Sequence, residues 1–243
     1  MRISWNNLLK SATSLSATNT DLAYPVENLY HNYLELTFET TADNSIITAV
    51  FDDIYTINHI AYGYHNLNSM ELRLYDVLDN LLDTITVTPI ENGEGIFYFS
   101  TLIDNVKWIE IEVDTLDTYL YIGNLCVGEY LQMPDFVTMP EQAIQLSGQA
   151  DQSGSGQVSG MKRRNLKNYS FRFMEVTDTK NTEIESYLTL MQNADTHYID
   201  QCESNHSYRA PFFGFITSTE IPETHKRAAW NKWSKQINYR EAR

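Results

Sequence analysis

Histidine and cysteine are the side chains of this sequence best suited to bind a metal ion. The histidines are His31, His59, His65, His197, His206 and His225. They are dispersed, and no two stand at the i, i+4 spacing that places a metal pair on one helix face. His59 and His65 could approach each other at a strand end, but a metal site there needs further ligands. Cys126 and Cys202 are far apart in strand-like surroundings, which favours buried free thiols. The sequence predicts no metal site.

Carboxylates and nucleophiles form no recognisable catalytic motif. Asp52-Asp53 and the series Asp76, Asp79 and Asp83 lack the DxDxDG spacing of a Ca²⁺ loop, and Asp-rich turns between strands are ordinary. The chain contains no Gly-rich phosphate loop and no HExxH, CxxC or GxSxG motif. We predict no catalytic residue, no cofactor and no enzymatic activity.

Tyrosine is more suggestive, since the chain holds 16 of them. Those near predicted strand ends are Tyr24, Tyr30, Tyr33, Tyr62, Tyr64, Tyr119 and Tyr121. An aromatic ring can cover the apolar face of a sugar while neighbouring Asn and Asp side chains bond its hydroxyls. Tyrosines also build protein interfaces, or lie half-buried in a β-sandwich. The candidate contacts for a glycan or a protein are Tyr24, Tyr30, Tyr64 and Tyr119.

The net charge of −15 is distributed unevenly. Residues 1–130 hold 19 acidic and 4 basic side chains, whereas residues 131–243 hold 13 of each. An acidic surface repels nucleic acid and anionic lipid, so neither is a predicted partner, although such charge can also serve solubility alone. Lys162, Arg163, Arg164 and Lys167 form a dense basic cluster. They are candidate assembly contacts, with a solvated face as the alternative.

Short strand-like segments fill the first half of the sequence, separated by Asp, Asn and Gly turns. They span residues 33–38, 45–51, 56–64, 70–77, 82–88, 95–99 and 106–113. Leu72 and Leu74 alternate with Arg73, and Ile109 alternates with Glu110, which indicates half-buried antiparallel strands. The fold class is therefore mainly β, with a sandwich or jelly roll in residues 1–131.

The second half, residues 132–243, has a different pattern. Two long strands joined by a Ser/Gly-rich tip at residues 151–156 predict a β-hairpin arm over about 144–174. Residues 182–192 predict a helix, with Ile184, Tyr187, Leu188 and Met191 on one face and a capping box from Thr182 to Glu185. Further strands follow. The charge step and the prolines at 134 and 140 place the domain boundary within 129–139.

Several segments of the first half resemble a known module when they are taken together. They are "AYPVENLY", "LELTFE", "INHIAYGYHNLNSMELRLYD", "KWIEIEVD" and "YLYIGNLCVGEYLQMP". They resemble the discoidin-like jelly roll found in structural proteins of tailed bacteriophages, over about residues 20–131. The second half is similar, more loosely, to the tail-tube-like fold of phage tail and baseplate proteins. Familiar distal-tail proteins carry these two domains in the opposite order.

The resemblance implies a virion structural protein of the tail or baseplate, made in the host cytoplasm. Its expected partners are other tail or baseplate proteins in a homo-oligomeric ring, without membrane insertion. A carbohydrate-binding adhesion module that recognises a host surface glycan is the alternative, and a glycan-degrading enzyme is a third possibility. Within the jelly roll, residues 65–68 are interpreted as a turn in which Asn66 or Asn68 bonds backbone and Leu67 fills the sandwich end. Trp108 is also predicted to be buried.

Overall fold

In a computed structural model, the chain divides into two compact units. The first is Met1–Gln132 with Thr196–Phe213, and the second is Met133–Asp195 with Gly214–Ala242. The structure describes residues 1–32, 34–90, 93–133, 141–145, 148–152, 158–162, 166–190, 196–200, 211–217, 225–227 and 232–241. The predicted boundary at 131/132 lies beside the first division, and residues 196–213 rejoin the first unit.

Strands dominate the described residues of both units. In chain order they are β1 (Arg2–Ser4), β2 (Ala12–Ala17), β3 (Phe38–Glu39), β4 (Asn44–His65), β5 (Ser69–Tyr75), β6 (Leu81–Val87), β7 (Gly95–Asp114), β8 (Tyr121–Gly128), β9 (Leu131–Gln132), β10 (Glu141–Gln145), β11 (Gly148–Gln152), β12 (Val158–Lys162), β13 (Leu166–Val176), β14 (His197–Asp200), β15 (Phe212–Ile216), β16 (His225–Arg227) and β17 (Lys232–Glu241). An α-helix, α1, spans Asp178–Leu190. The predicted mainly β fold class is confirmed.

In the first unit, β4 and β7 run through both sheets of a sandwich. The first half of β4 pairs with β2 on one side and with the second half of β7 on the other. The second half of β7 also pairs with β5, and β5 pairs with β6. The second half of β4 pairs with the first half of β7 and with β8, which pairs with β3. Register shifts between Val50 and His59 separate the two halves. Such bulges bend and twist a strand, which allows one chain segment to cross from sheet to sheet.

The core of this sandwich is made by the alternating positions of its strands. Met70, Leu72 and Leu74 of β5 are fully buried, as are Ile109 and Ile111 of β7. Burying one such aliphatic side chain stabilises a fold by about 2 kcal/mol. The period-two prediction for β5 and the second half of β7 is confirmed.

Three details of the first half were predicted wrongly. Segments 45–51 and 56–64 form the single strand β4, and 95–99 and 106–113 form the single strand β7. Asp52 and Asp53 therefore lie in a bent strand rather than in a turn. Among the described residues 34–38 of the segment predicted at 33–38, Phe38 alone lies in β3. Local sequence cannot distinguish a bulge from a turn here, because the pairing of distant strands decides between them.

Trp108 is half-buried rather than part of the core. Its ring stacks on Tyr75 with centroids 3.8 Å apart, and its indole N–H donates to Asp79 Oδ1 at 2.9 Å. Trp108 shares its face of β7 with Glu110 and Glu112, and that face points away from Ile109 and Ile111. The alternation that buries the isoleucines therefore places the tryptophan outside.

Antiparallel pairs also organise the second unit. β10 pairs with β13, β13 pairs with β17, and β17 also pairs with β15 and β16. β11 pairs with β12. The predicted hairpin arm over 144–174 corresponds to the β10–β13 and β11–β12 pairs. Residues 153–156 of its predicted tip lie outside the described residues.

Helix α1 begins four residues before the predicted start at residue 182, and the capping box was predicted wrongly. The hydroxyl of Thr182 donates back to the carbonyl of Asp178, which places it inside the helix. Thr177 Oγ1 instead accepts the Lys180 backbone N–H at 3.3 Å. Ile184, Tyr187 and Leu188, which were predicted to share one helix face, are all buried. Residues 191 and 192 lie outside the described residues, within which no helix is long and apolar enough to cross a membrane.

Candidate functional site

Tyr64, Tyr119 and Tyr121 bring their rings together on the first unit, and we call this group the tyrosine surface. Tyr64 lies near the end of β4, Tyr121 begins β8, and Tyr119 lies in the preceding loop. The ring centroid of Tyr121 lies 5.6 Å from that of Tyr64 and 6.4 Å from that of Tyr119. Tyr64 and Tyr119 are 51% and 46% exposed, and Tyr121 is half-buried. The group presents aromatic area to solvent.

The backbone holds Tyr64 in an uncommon conformation. Its φ is 49°, in the left-handed region that L side chains other than Asn and Asp rarely adopt. Gly123 of the neighbouring strand lies beside it, where an added Cβ would meet the Leu34 carbonyl oxygen at 2.2 Å and Tyr64 Cβ at 3.0 Å. The missing side chain of Gly123 therefore lets two backbone segments and Tyr64 approach closely.

Asn66 holds the loop that carries Tyr119 and Tyr121. Its side-chain amide donates to the Tyr119 carbonyl at 2.8 Å and to Asp117 Oδ2 at 2.9 Å. Its side-chain oxygen accepts the Tyr121 backbone N–H at 2.8 Å. A side chain that bonds both ends of a short loop restricts the positions of the rings on it.

The turn at residues 65–68 has the predicted structural role. Leu67 is buried in the sandwich core, and its backbone N–H donates to His65 Nδ1 at 3.0 Å. Asn68 donates to Asp114 Oδ1 at 3.0 Å. His65 is itself 1% exposed. The interpretation of this segment as a turn that fills the sandwich end is confirmed.

Carboxylates flank the tyrosine surface. Asp117 is exposed and bonds Asn66, and Glu39 of β3 lies directly opposite Tyr121 in the strand register. Burial, with Tyr64, Asp117 and Tyr119 nearby, raises the pKa of Tyr121. Tyr121 therefore keeps its hydroxyl proton at neutral pH. The surface offers rings for stacking, phenol hydroxyls that donate or accept, and carboxylate oxygens that accept.

The other candidate tyrosines lie elsewhere. Tyr24 is 42% exposed, and its backbone carbonyl accepts the Glu39 N–H, but its ring has no aromatic neighbour among the described residues. Tyr30 is half-buried against the sandwich core. Of the four candidate contact tyrosines, Tyr64 and Tyr119 lie on the tyrosine surface, where Tyr121 lies next to each of them. The sequence signal for Tyr121 was its i, i+2 spacing from Tyr119, because residues two apart in an extended segment point to the same side.

The basic cluster predicted for assembly cannot be placed with its side chains. Arg163 and Arg164 lie outside the described residues, as do the side chains of Lys162 and Lys167. The backbone of Lys162 ends β12, and that of Lys167 lies in β13.

A buried polar cluster of Ser4, His59 and Cys126 was not anticipated from the sequence. Ser4 Oγ lies 2.5 Å from His59 Nε2 and 3.0 Å from Cys126 Sγ. Asn58 Oδ1 lies 3.3 Å from His59 Nδ1. These groups come from β1, β4 and β8, so no local motif could reveal them.

The arrangement resembles a nucleophile–base pair in distance but not in electrostatics. Burial lowers the pKa of His59 to about 4 and raises the pKa of the Cys126 thiol to about 12. An activated nucleophile needs the opposite shifts, with a base that titrates near neutral pH and a thiol of low pKa. The cluster therefore acts as a hydrogen-bonded packing element. Among the described residues, no group of at least three His, Cys, Asp or Glu side chains could hold a metal ion.

Comparison with solved structures identifies several that are similar to about half of this chain. The F5/8 type C domain of a Bacteroides fragilis protein aligns at 18% identity and a TM-score of 0.44, covering 52% of this chain and 96% of that one. A Clostridium perfringens module solved in complex with GalNAc-beta-1,3-galactose aligns at 13% identity and a TM-score of 0.43, covering 51% and 100%. A Streptococcus pneumoniae fucose binding module aligns at 14% identity and a TM-score of 0.40, covering 50% and 95%. No family model and no curated protein sequence matches the chain.

Proposed function

We propose that the first unit is a saccharide-binding module and that the tyrosine surface is its binding site. The grouping of three rings on one exposed surface carries this proposal. A pyranose has an apolar face formed by its C–H groups, which an aromatic ring can cover, and a rim of hydroxyls. Tyrosine supplies contact area at a low cost in side-chain entropy, and its hydroxyl remains available for hydrogen bonds.

Preorganisation of the surface supports the same proposal. The left-handed backbone at Tyr64 costs about 1–3 kcal/mol, and such strain clusters at ligand clamps. Asn66 bonds the loop that carries Tyr119 and Tyr121. A ligand that meets rings already in position loses less affinity to ordering them.

The module is non-catalytic in this proposal. Asp117, an exposed carboxylate of the tyrosine surface, has an oxygen occupied by the Asn66 amide. The buried polar cluster lies beneath the protein surface, with His59 fully buried and the Cys126 thiol kept protonated. We assign the acid groups at the surface to hydrogen bonding with sugar hydroxyls, where a carboxylate accepts strongly.

Replacing Tyr64 or Tyr119 by Ala should weaken binding of the full chain to its best glycan about tenfold for each change. Loss of one stacked ring of this kind corresponds to roughly 1.4 kcal/mol. Glycan-array screening followed by calorimetric titration measures the effect. Phe97→Ala is the matched control, because Phe97 is 36% exposed on β7 and belongs to a different ring pair with Phe99. Equal affinity of the wild type and a Tyr64→Ala/Tyr119→Ala variant, or no glycan bound by the wild type, contradicts the proposal.

As a second candidate function we propose a structural component of a bacteriophage tail or baseplate, and an apolar loop at residues 76–80 that would suit a protein contact supports this proposal. Asp76 Oδ1 accepts the backbone N–H groups of Leu78 at 2.8 Å and Asn80 at 2.9 Å. Val77 and Leu78 are nonetheless 66% and 77% exposed. Aliphatic side chains displayed on an ordered loop are typical of a protein contact.

Charge suggests which surface this loop would meet in a virion. Residues 76–83, "DVLDNLLD", carry three carboxylates and no basic side chain. The basic segment 162–167 combines four positive charges with Leu166. We propose that the loop of one copy contacts the basic segment of the next in a ring, with the jelly roll directed outward. Opposite charge would mainly set register and orientation.

Leu78→Ser and the pair Arg163→Glu/Arg164→Glu should each reduce incorporation into assembled particles about tenfold. Leu78→Ser removes an apolar side chain from the proposed contact, and the Arg163→Glu/Arg164→Glu pair replaces attraction to the acidic loop by repulsion. Particle purification with quantitative immunoblotting measures incorporation, after circular dichroism has shown that each variant folds. Leu22→Ser, at a residue 96% exposed, is the control. Normal incorporation of both variants at ordinary salt removes this contact from the assembly mechanism.

A further inference from the structure

We infer that the tyrosine surface selects saccharides with protonated amino groups over neutral and anionic ones. This inference rests on the proposed saccharide-binding function and adds a substrate class to the same site. It follows from where the charges of the first 130 residues lie relative to the three rings.

Each basic side chain of residues 1–130 is engaged away from the tyrosine surface. The guanidinium of Arg2 lies over the Tyr98 ring, 4.2 Å from its centroid, and Arg2 also bonds Gln132. Lys107 donates to the Asp52 carbonyl at 2.9 Å.

Arg73 and Lys10 complete this set. Arg73 lies among carboxylates, with Glu71 and Glu112 each 2.6 Å away and Glu110 at 3.9 Å. Lys10 interacts electrostatically with Cys126 of the buried polar cluster. No basic side chain in this part of the described chain therefore offsets the negative field at the rings.

Acidic groups, in contrast, lie beside the rings. Asp117 is exposed and close enough to Tyr121 to act on it electrostatically. Glu39 lies opposite Tyr121 in the register of β3 and β8 and accepts from the Thr37 hydroxyl at 2.8 Å. Asp114, near the same end of the sandwich, accepts from Ser69 and Asn68. At physiological salt charges are screened over about 8 Å, so carboxylates beside a bound ligand attract it more strongly than distant ones do.

Rings and carboxylates together recognise an ammonium group better than either does alone. A cation over a tyrosine face is attracted by the ring quadrupole, and an adjacent carboxylate adds direct attraction. A hydroxyl at the same position gains only an ordinary hydrogen bond. A uronic acid or sialic acid would be repelled by the negative field of residues 1–130.

The experiment titrates the full chain with a glucosamine tetrasaccharide, its fully N-acetylated form and a galacturonic acid tetrasaccharide. Measurements are made at mildly acidic pH, where the free amines are protonated. The amine form should bind about tenfold tighter than the N-acetylated form, which corresponds to 1.4 kcal/mol. Added salt should shrink this ratio, and the uronic acid should bind most weakly.

Asp117→Asn tests the charge at the site, because asparagine can still accept the Asn66 amide bond while it lacks the negative charge. This variant should reduce the ratio of the amine form to the N-acetylated form several-fold, whereas Tyr64→Ala should weaken both ligands. Equal binding of the two forms, or binding only to a neutral glycan, overturns the inference and leaves saccharide binding intact. Failure of every glycan to bind overturns the proposed function itself.

Discussion

Acidification from neutral pH to about pH 4 is expected to remove roughly 3 kcal/mol from the free energy of unfolding through His59 alone. His59 is fully buried, and burial lowers its pKa from 6.5 to about 4. Below pH 6.5 the unfolded chain takes up a proton at His59 before the folded chain does. Stability is therefore complete above about pH 6.5, falls as the pH decreases, and levels off below about pH 4.

Urea denaturation at several pH values measures this effect, with His59→Gln as the test variant. Glutamine does not titrate and can still bond Ser4, so the variant should lose the part of the pH dependence that comes from His59 and keep the part from other groups, including His65, whose pKa burial also lowers. His31→Gln, at an exposed position, is the control and should keep the slope of the wild type. If the His59→Gln variant has the same pH slope as the wild type, His59 takes up its proton without disturbing the fold.

Gly123→Ala is expected to lower the free energy of unfolding by about 3 kcal/mol. The new Cβ would lie 2.2 Å from the Leu34 carbonyl oxygen, which is backbone and cannot rotate away. β8 must then move from the segment that holds Leu34, and Tyr64 must move with it. The variant should therefore also lose affinity for its glycan.

Gly63→Ala is the matched control for this substitution. Gly63 of β4 pairs with Asn124 of β8, the strand that also contains Gly123. A Cβ added at Gly63 would meet only side-chain atoms among its nearest neighbours, with Tyr198 Oη at 2.9 Å and Glu94 Cγ at 3.2 Å. Side-chain ends can shift, so the cost should be smaller than at Gly123. Chemical denaturation gives both values. A Gly63 variant that is the less stable of the two would contradict this ranking.

Local alternation was the most reliable sequence signal for the fold. A period of two predicted half-buried strands around Leu72 and Ile109, and Leu72, Leu74, Ile109 and Ile111 are all buried. This works because successive side chains of a strand point to opposite faces whatever the strand pairs with. The same rule places Trp108 on the outer face with Glu110 and Glu112, so the prediction that Trp108 is buried was wrong.

Features that depend on distant partners could not be predicted. Asp52 and Asp53 are turn-forming residues, yet β4 continues through them because its two halves pair with different parts of β7. At α1, either Thr177 or Thr182 could cap the helix, and the structure uses Thr177. The helix that starts there packs against β17, where Tyr187 Oη lies 3.1 Å from Tyr239 Oη. These choices depend on packing rather than on local preference.

For the candidate site, the sequence by itself determined the supply of tyrosines, the acidic charge of residues 1–130 and the outward positions along each strand. These are properties of composition and of strand period. Only the tertiary structure decided that Tyr121 meets both Tyr64 and Tyr119, while Tyr24 and Tyr30 lie elsewhere. It also brought Ser4, His59 and Cys126 together in the interior. Residues more than 50 positions apart become neighbours because of the register in which their strands pair. That register is set by the apolar pattern of the buried strand face, and not by the exposed residues that it brings together.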